Sequence, residues 1–173
     1  MARIDVPAGE GREATRIWQL APYLGSGLHA MSEAVYERSS LPIREREVAR
    51  MRIAQLNECQ VCLNTRAASA MDQGLSDEMY EHVHEYDDHE GFTPRERLAA
   101  EFAEQFATDH RGIDDAMWAR MREHFSEVEL LELTVTCGFC VGMGRAFHVL
   151  DITRDFDVLW SREPILDESR APA

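Results

Sequence analysis

The 173-residue sequence contains no lysine, because all 18 of its basic residues are arginine. Without lysine there is no Schiff-base nucleophile, no lysine general base and no P-loop lysine, so enzyme classes that need them are excluded. The basic residues are outnumbered by 32 acidic ones, and the formal net charge is −14. A surface this acidic repels phosphate backbones and anionic lipid headgroups. We therefore expect neither nucleic acid nor a membrane surface as a partner.

Long apolar runs are also missing. No run approaches the roughly 18 to 20 residues that span a bilayer, and the first sixteen residues are charged and lack the apolar core of a secretory signal. The length suits one domain with its own hydrophobic core. These features predict a single cytoplasmic domain. In that compartment thiols stay reduced unless they are catalytic, sensing or metal-bound, so four cysteines do not indicate a disulfide framework.

Strand-like alternation is absent, whereas helix signals recur. Thr93, Pro94 and Glu96 form a capping box with proline at the first helical position. Ser126 and Glu129 form a second capping box before a long apolar segment, which we expect to be a central buried helix. The sequence therefore predicts an all-α domain. Along the chain we distinguish a variable helical region, a pair of helices around two cysteines, the rest of the bundle, and a tail whose first half packs on the body or a neighbouring subunit: residues 1–40, 42–75, 93–151 and 156–173.

Two of the four cysteines, Cys59 and Cys62, lie three residues apart after Asn57, which is a good helix N-cap. Exposed N–H groups and the dipole at a helix start stabilise a thiolate. On one continuous helix, residues 59, 62 and 66 share a face, so the guanidinium of Arg66 would reach the sulfurs and lower their pKa further. This pattern favours a redox pair. The alternative, two small buried core residues, stays open.

Glu47 lies twelve residues before Cys59, and Gly-Leu-Ser follows at residues 74–76. Residues 42–75 closely resemble the signature segment of the carboxymuconolactone decarboxylase and alkylhydroperoxidase D superfamily, and residues 93–151 resemble it loosely. The resemblance implies an alkylhydroperoxidase D-like helical bundle that assembles as a trimer or hexamer. It also implies a thiol-dependent peroxidase that reduces organic hydroperoxides, is regenerated by an external dithiol and needs no cofactor or metal.

The same resemblance implies individual roles: Cys62 attacks the peroxide, Cys59 resolves the product to a disulfide, and Glu47 anchors a proton relay. The relay histidine expected four residues after Cys62 is Arg66 here, and arginine cannot shuttle a proton near neutral pH. Arg66 can instead hold a thiolate, neutralise Glu47 or bind an anionic substrate. Because the helix start favours Cys59 as the thiolate, the order of the two cysteines stays open.

Other candidates come from the last long helix and from a histidine-rich turn. His148 is a secondary candidate for the missing relay, as is His29, and Arg145 is expected to pair with Glu47 or with an acid across an interface. A second pair, Cys137 and Cys140, allows a Cys₄ zinc site with the first. However, residues 63–136 lie between the pairs, far more than the roughly 15 to 20 of zinc ribbons, so we expect core packing. We interpret the turn with His82, His84 and His89 as a solvated acidic loop.

Two other functions stay open. The first is a scaffold that binds a ligand without turnover, with Arg66 recognising a carboxylate. The second is a lyase or isomerase that acts on a small carboxylated lactone, as in the decarboxylase branch that the resemblance includes. The cysteine pair counts against the lyase, and Arg66 as a carboxylate clamp counts for it.

Overall fold

The computed structural model describes residues 2–67 and 73–152 and the backbone of residues 159–161. These parts form eight α-helices: α1 Glu13–Arg16, α2 Pro22–Tyr36, α3 Ile43–Leu56, α4 Gln60–Leu63, α5 Asp77–His82, α6 Pro94–Asp109, α7 Asp115–His124 and α8 Glu127–Val149. Short 3-10 turns follow α1, α5 and α6 at Ile17–Leu20, Val83–Glu85 and His110–Gly112. The predicted all-α class is confirmed.

Helix α3 lies at the centre of the bundle. Every residue from Glu45 to Met51 is buried, although the segment is rich in charge. The helix packs along α6 and also against α8, and the apolar side chains between them form the main core, including Ile53, Phe102 and Leu133. The position of α3 puts the charged side chains of its middle turns inside the protein.

Helix α8 was expected to be central and buried, but only one of its faces is buried. One face packs into the core through Leu133, Cys137 and Cys140, whereas Leu131 on another face is 65% exposed. Among the described helices, α8 is the one that is long and apolar enough to cross a membrane by length and composition, but part of it belongs to the core of the bundle. The expectation failed because composition does not show how many neighbours a helix has.

Both predicted capping boxes are present. Thr93 Oγ1 accepts a hydrogen bond from the backbone N–H of Glu96 at 3.2 Å, and the Glu96 carboxylate accepts one from the Thr93 N–H at 2.9 Å. Ser126 and Glu129 do the same at the start of α8. These reciprocal bonds satisfy N–H groups that have no partner within the helix.

The segment after the cysteines differs from the predicted continuous helix. Helix α4 ends at Leu63, and strand β1, Thr65–Ala67, pairs in parallel with strand β2, Leu159–Ser161. The pairing partner is distant in sequence, so no local pattern near Thr65 reveals it. Strand β2 lies in the first half of the predicted tail, and the rest of residues 156–173 lies outside the described residues.

Candidate active site

Cys59 and Cys62 are joined by a disulfide, with their Cα atoms 5.3 Å apart. Cys59 itself is the N-cap of α4, and its sulfur accepts a hydrogen bond from the Cys62 N–H at 3.2 Å. The prediction that Asn57 caps this helix is therefore wrong. Asn57 ends α3, and Glu58 then adopts a left-handed φ of 51°, which turns the chain before α4 begins.

The two cysteines differ in exposure. Cys59 is 1% exposed and packs in a small apolar cluster with Val61 and Phe147. Cys62 is only partly buried and lines a cleft. A small molecule can therefore approach Cys62 more readily than Cys59, which is the order that the superfamily resemblance implies.

The cleft beside Cys62 is narrow and mostly apolar. Its volume is about 50 Å³, which holds a few water molecules or the head of a small substrate but not a bulky ligand. Side chains of α2, α3, α4 and α8 line it: Leu28, Ser32, Tyr36, Arg50, Ala54, Cys62, Phe139, Cys140, Met143 and Phe147. Arg50 is the one charged residue among them.

Glu47 is 1% exposed and is held by three neighbours. Arg50 Nε donates to Glu47 Oε2 at 2.9 Å, the Tyr80 hydroxyl donates to the same oxygen at 2.8 Å, and Arg46 Nε lies 3.9 Å from Oε1. Burial by itself raises the pKa of Glu47, but the charge and hydrogen bond of Arg50, with smaller effects of Arg46 and Tyr80, leave it below the ordinary value. Glu47 is therefore an ionised buried carboxylate.

Arg50 connects this carboxylate to the cysteine segment. Its Nη1 donates to the Cys62 carbonyl at 2.9 Å, and its Nη2 donates to the Thr65 carbonyl at 3.1 Å. The guanidinium also lies over the Tyr80 ring, 5.6 Å from its centroid. Three hydrogen bonds thus fix the side chain between Glu47 and the residues that follow Cys59.

Arg66 does not reach the sulfurs as a continuous helix would require, because α4 ends before it. Its Nε lies 3.5 Å from the Asp77 carboxylate, and its guanidinium stacks 4.4 Å from the centroid of the Tyr80 ring. Burial, and then repulsion from Arg50, lower the pKa of Arg66. The partner of Glu47 is therefore Arg50, and Arg66 lies outside the residues that line the cleft.

Arg145 and His148 were expected on a buried face of α8, but both are exposed. Arg145 donates to Asn57 Oδ1 at 3.2 Å and to the Ala107 carbonyl at 2.8 Å, so the expected ion pair with Glu47 is wrong. His148 Nδ1 lies 3.3 Å from the Glu58 carbonyl. Neither residue lines the cleft, nor does His29. The structure brings no histidine of the described residues to the cleft.

Cys137 and Cys140 are buried free thiols, as the core-packing interpretation expects. Cys140 also lines the cleft, with its sulfur 3.8 Å from the Tyr36 hydroxyl. Burial is the main reason that the pKa of Cys140 rises to about 11, so its thiol stays protonated near neutral pH.

The sequence analysis missed Arg50, Tyr80 and Tyr36. Arg50 follows Glu47 by three residues, the spacing of an ion pair on one helix face, and this signal was readable in the sequence. Tyr80 and Tyr36 reach the site from α5 and α2, and nothing local to them indicates that they do.

Comparisons with known proteins relate the chain to one family and to one fold. A model of the carboxymuconolactone decarboxylase family matches residues 22–105, a range that includes Glu47, Arg50 and the cysteine pair. The uncharacterised protein YnjA of Escherichia coli is 29% identical over 146 residues, 83% of this chain and 80% of the relative. The uncharacterised protein YdfG of Bacillus subtilis is 24% identical over 119 residues, 68% of this chain and 80% of the relative.

Two solved structures share the fold. One is a protein of unknown function from Agrobacterium tumefaciens, described as a candidate antioxidant defence protein AhpD; its TM-score is 0.64 at 20% identity, over 78% of this chain and 92% of that one. The other is an uncharacterised peroxidase-related protein from Silicibacter, with a TM-score of 0.65 at 16% identity over 90% of this chain and 95% of that one. At these identities the similarity establishes the helical fold.

Proposed function

We propose that this chain, in which residues 22–105 match the carboxymuconolactone decarboxylase family, is a thiol peroxidase that reduces organic hydroperoxides with Cys62 and Cys59. The observation that carries the proposal is the geometry of the pair. Cys62 opens on an apolar cleft, and Cys59 lies behind it at disulfide distance.

The reaction begins with the reduced pair. The Cys62 thiolate attacks the outer oxygen of the hydroperoxide, an S–O bond forms, the O–O bond breaks, and the alkoxide takes a proton to leave as an alcohol. The proton comes from solvent or from the Tyr36 hydroxyl, which lines the same cleft. Cys62 is then a sulfenic acid, and the peroxide has been reduced by two electrons.

Cys59 completes the turnover. Its sulfur attacks the sulfenic sulfur of Cys62, a disulfide forms and water leaves. An external dithiol then reduces this disulfide by thiol exchange and becomes a disulfide itself. We place this cycle in the cytoplasm, where such reductants keep thiols reduced.

The cleft supports an organic substrate. Its walls are mainly apolar, which favours an alkyl or aryl tail over hydrogen peroxide. Its small volume and the position of Arg66 outside it give no support to a carboxylated lactone or to a carboxylate ligand held by Arg66.

The test is thiol counting by mass spectrometry after reduced protein receives one equivalent of cumene hydroperoxide. The wild type should rapidly lose two thiols as a Cys59–Cys62 disulfide. Cys59→Ser should stop at a Cys62 sulfenic acid that dimedone traps, Cys62→Ser should lose none, and Cys137→Ser, whose side chain does not line the cleft, should behave as the wild type. The proposal would be overturned if all four thiols reacted with the hydroperoxide no faster than free cysteine does.

A further inference from the structure

Two buried arginines share one carboxylate next to the cysteine pair. Arg46 lies 3.9 Å from the Glu47 carboxylate and Arg50 lies 2.9 Å from it, and all three are at most 6% exposed. Arg66 adds a third guanidinium, which shares the Thr65 carbonyl with Arg50. Buried positive charge that is not fully balanced favours an anion nearby.

Arg50 is the member of this group that stands next to Cys62. It donates to the Cys62 carbonyl at 2.9 Å and lines the same cleft. The carbonyl oxygen and the sulfur of one cysteine are joined by four covalent bonds, so they lie roughly 3 to 5 Å apart. The guanidinium charge is therefore within about 8 Å of the Cys62 sulfur, on the side where a substrate would enter.

We propose that Arg50 is a positioning residue whose charge holds the reduced Cys62 as a thiolate at neutral pH. This inference rests on the proposed role of Cys62 as the attacking thiol. Arg50 then supplies by electrostatics part of the activation that a histidine supplies in relatives with an intact relay. It moves no proton and is not itself oxidised.

The effect of Arg50 on the neighbouring thiol of Cys140 supports the inference. Burial raises the pKa of Cys140, and the largest opposing effect is the charge of Arg50. Cys62 is less buried than Cys140 and receives Arg50 on its own carbonyl. Among the described residues, the other titratable or charged groups on the elements around Cys62 include Arg12, Glu13, Tyr36, Arg46, Glu47, Cys59, Arg66, Asp77 and Tyr80.

Because Arg50 and Glu47 carry opposite charges, neutralising each of them should shift the pKa of Cys62 in opposite directions. Neutralising Arg50 should raise the pKa of Cys62, whereas neutralising Glu47 should lower it, because Arg50 then acts on the sulfur unopposed. If Arg50 had only a structural role, both variants would disturb the site, but the two shifts of the Cys62 pKa would not have opposite signs. Arg52, two residues after Arg50 on α3, pairs with Glu104 at 2.8 Å and does not line the cleft, so Arg52→Gln is a matched control.

The experiment measures the rate of alkylation of Cys62 by iodoacetamide against pH, in a Cys59→Ser background so that one thiol of the pair titrates. Alkylation forms an S–C bond and releases iodide, and peptide mass spectrometry separates Cys62 from Cys137 and Cys140. Circular dichroism first verifies that each variant is folded.

Arg50→Gln should raise the Cys62 pKa by about one unit or more and slow alkylation at neutral pH about tenfold. Arg50→Lys, which keeps the charge, should show less than half of that shift, Glu47→Gln should lower the pKa, and Arg52→Gln should leave it unchanged. An unchanged or lowered pKa in Arg50→Gln, or shifts of the same sign in Arg50→Gln and Glu47→Gln, would overturn the inference. The measurement needs no peroxide, so failure to turn over hydroperoxide would reject the proposed function separately.

Discussion

Glu47 and Arg50 show how one residue pair can link a helix interior to a reactive segment. They lie three residues apart on α3, both are buried, and Arg50 extends from the carboxylate to the carbonyls of Cys62 and Thr65. Removing one member of such a pair leaves a buried charge without its partner, which costs more than the pair itself contributes. The residue that replaces the relay histidine, Arg66, is held elsewhere by Asp77 and Tyr80.

Glu47 should make the stability of the folded protein depend on pH. Its pKa in the folded protein is below the ordinary 4.5, so its contribution is present above that value and is lost as pH falls through the folded pKa. Glu47→Gln, which keeps the size of the side chain, should lower the free energy of unfolding near pH 7 by about 1 to 3 kcal/mol. Acidification should lower the free energy of unfolding of this variant by less than it lowers that of the wild type. Urea unfolding at about pH 7 and about pH 3 measures the free energy of unfolding of both proteins. If acidification lowered that free energy equally in the wild type and in Glu47→Gln, Glu47 would not be the group responsible.

Gly144 should be intolerant of a side chain. A Cβ there would overlap the amide of Asn57, which is buried and donates to the Cys140 carbonyl at 3.2 Å. Gly144→Ala should lower the free energy of unfolding by about 1 to 3 kcal/mol, because Asn57 must move. Gly142 on the same helix has nothing within 4 Å of a Cβ, so Gly142→Ala should stabilise by about 0.5 to 1 kcal/mol. Thermal unfolding of both variants checks the prediction. Equal changes in stability for Gly144→Ala and Gly142→Ala would refute it.

At the scale of elements, capping boxes fix where α6 and α8 begin, and the short elements place the cysteines. Helix α4 has one turn, starts on Cys59 and gives way at Leu63 to β1, which is held by β2. Arg50 bonds to carbonyls at both ends of this join, at Cys62 and Thr65. The site therefore depends on the support of α3 beneath it more than on the stability of α4 alone.

The cap of α6 should contribute measurable stability. Thr93 Oγ1 accepts from the Glu96 N–H, and the buried Glu96 carboxylate also receives Arg44 Nε of α3 at 2.5 Å. Thr93→Ala removes one half of the capping box and should cost about 1 kcal/mol. Thr93→Ser keeps the hydroxyl and should cost only a few tenths of that. Equilibrium unfolding in urea measures the loss of stability in each variant. Equal losses in Thr93→Ala and Thr93→Ser would show that the hydroxyl of Thr93 does not supply this stability.

At the scale of the whole molecule, we propose that the protein forms a homo-oligomer, as the superfamily resemblance implies for a trimer or hexamer. Val128, Leu131 and Val149 on α8 are more than half exposed, and a second copy could cover them. Leu131→Glu should then shift the mass measured by light scattering toward the monomer. Glu123→Arg, at an exposed position of α7, should leave the mass unchanged. A wild-type protein that is already monomeric would reject this proposal.

The sequence by itself determined the all-α class, the starts of α6 and α8, and the close spacing of Cys59 and Cys62. These features rest on local signals, namely capping boxes, the absence of strand alternation and a family pattern in consecutive residues. The same local information was insufficient at Asn57 and Arg66. There the chain leaves the helix for a left-handed turn and then for a strand whose partner lies in the tail.

Only the tertiary structure decided which groups surround the cysteine pair. It made α3 the central helix although α8 is the more apolar, joined Glu47 to Arg50 and Tyr80, and put Arg145 and His148 at the surface. The physical reason is that burial and charge pairing depend on which helices pack side by side. Helix α3 can bury its charges because α5, α2 and the segment after Cys59 bring partners to them, and those partners lie outside the helix itself.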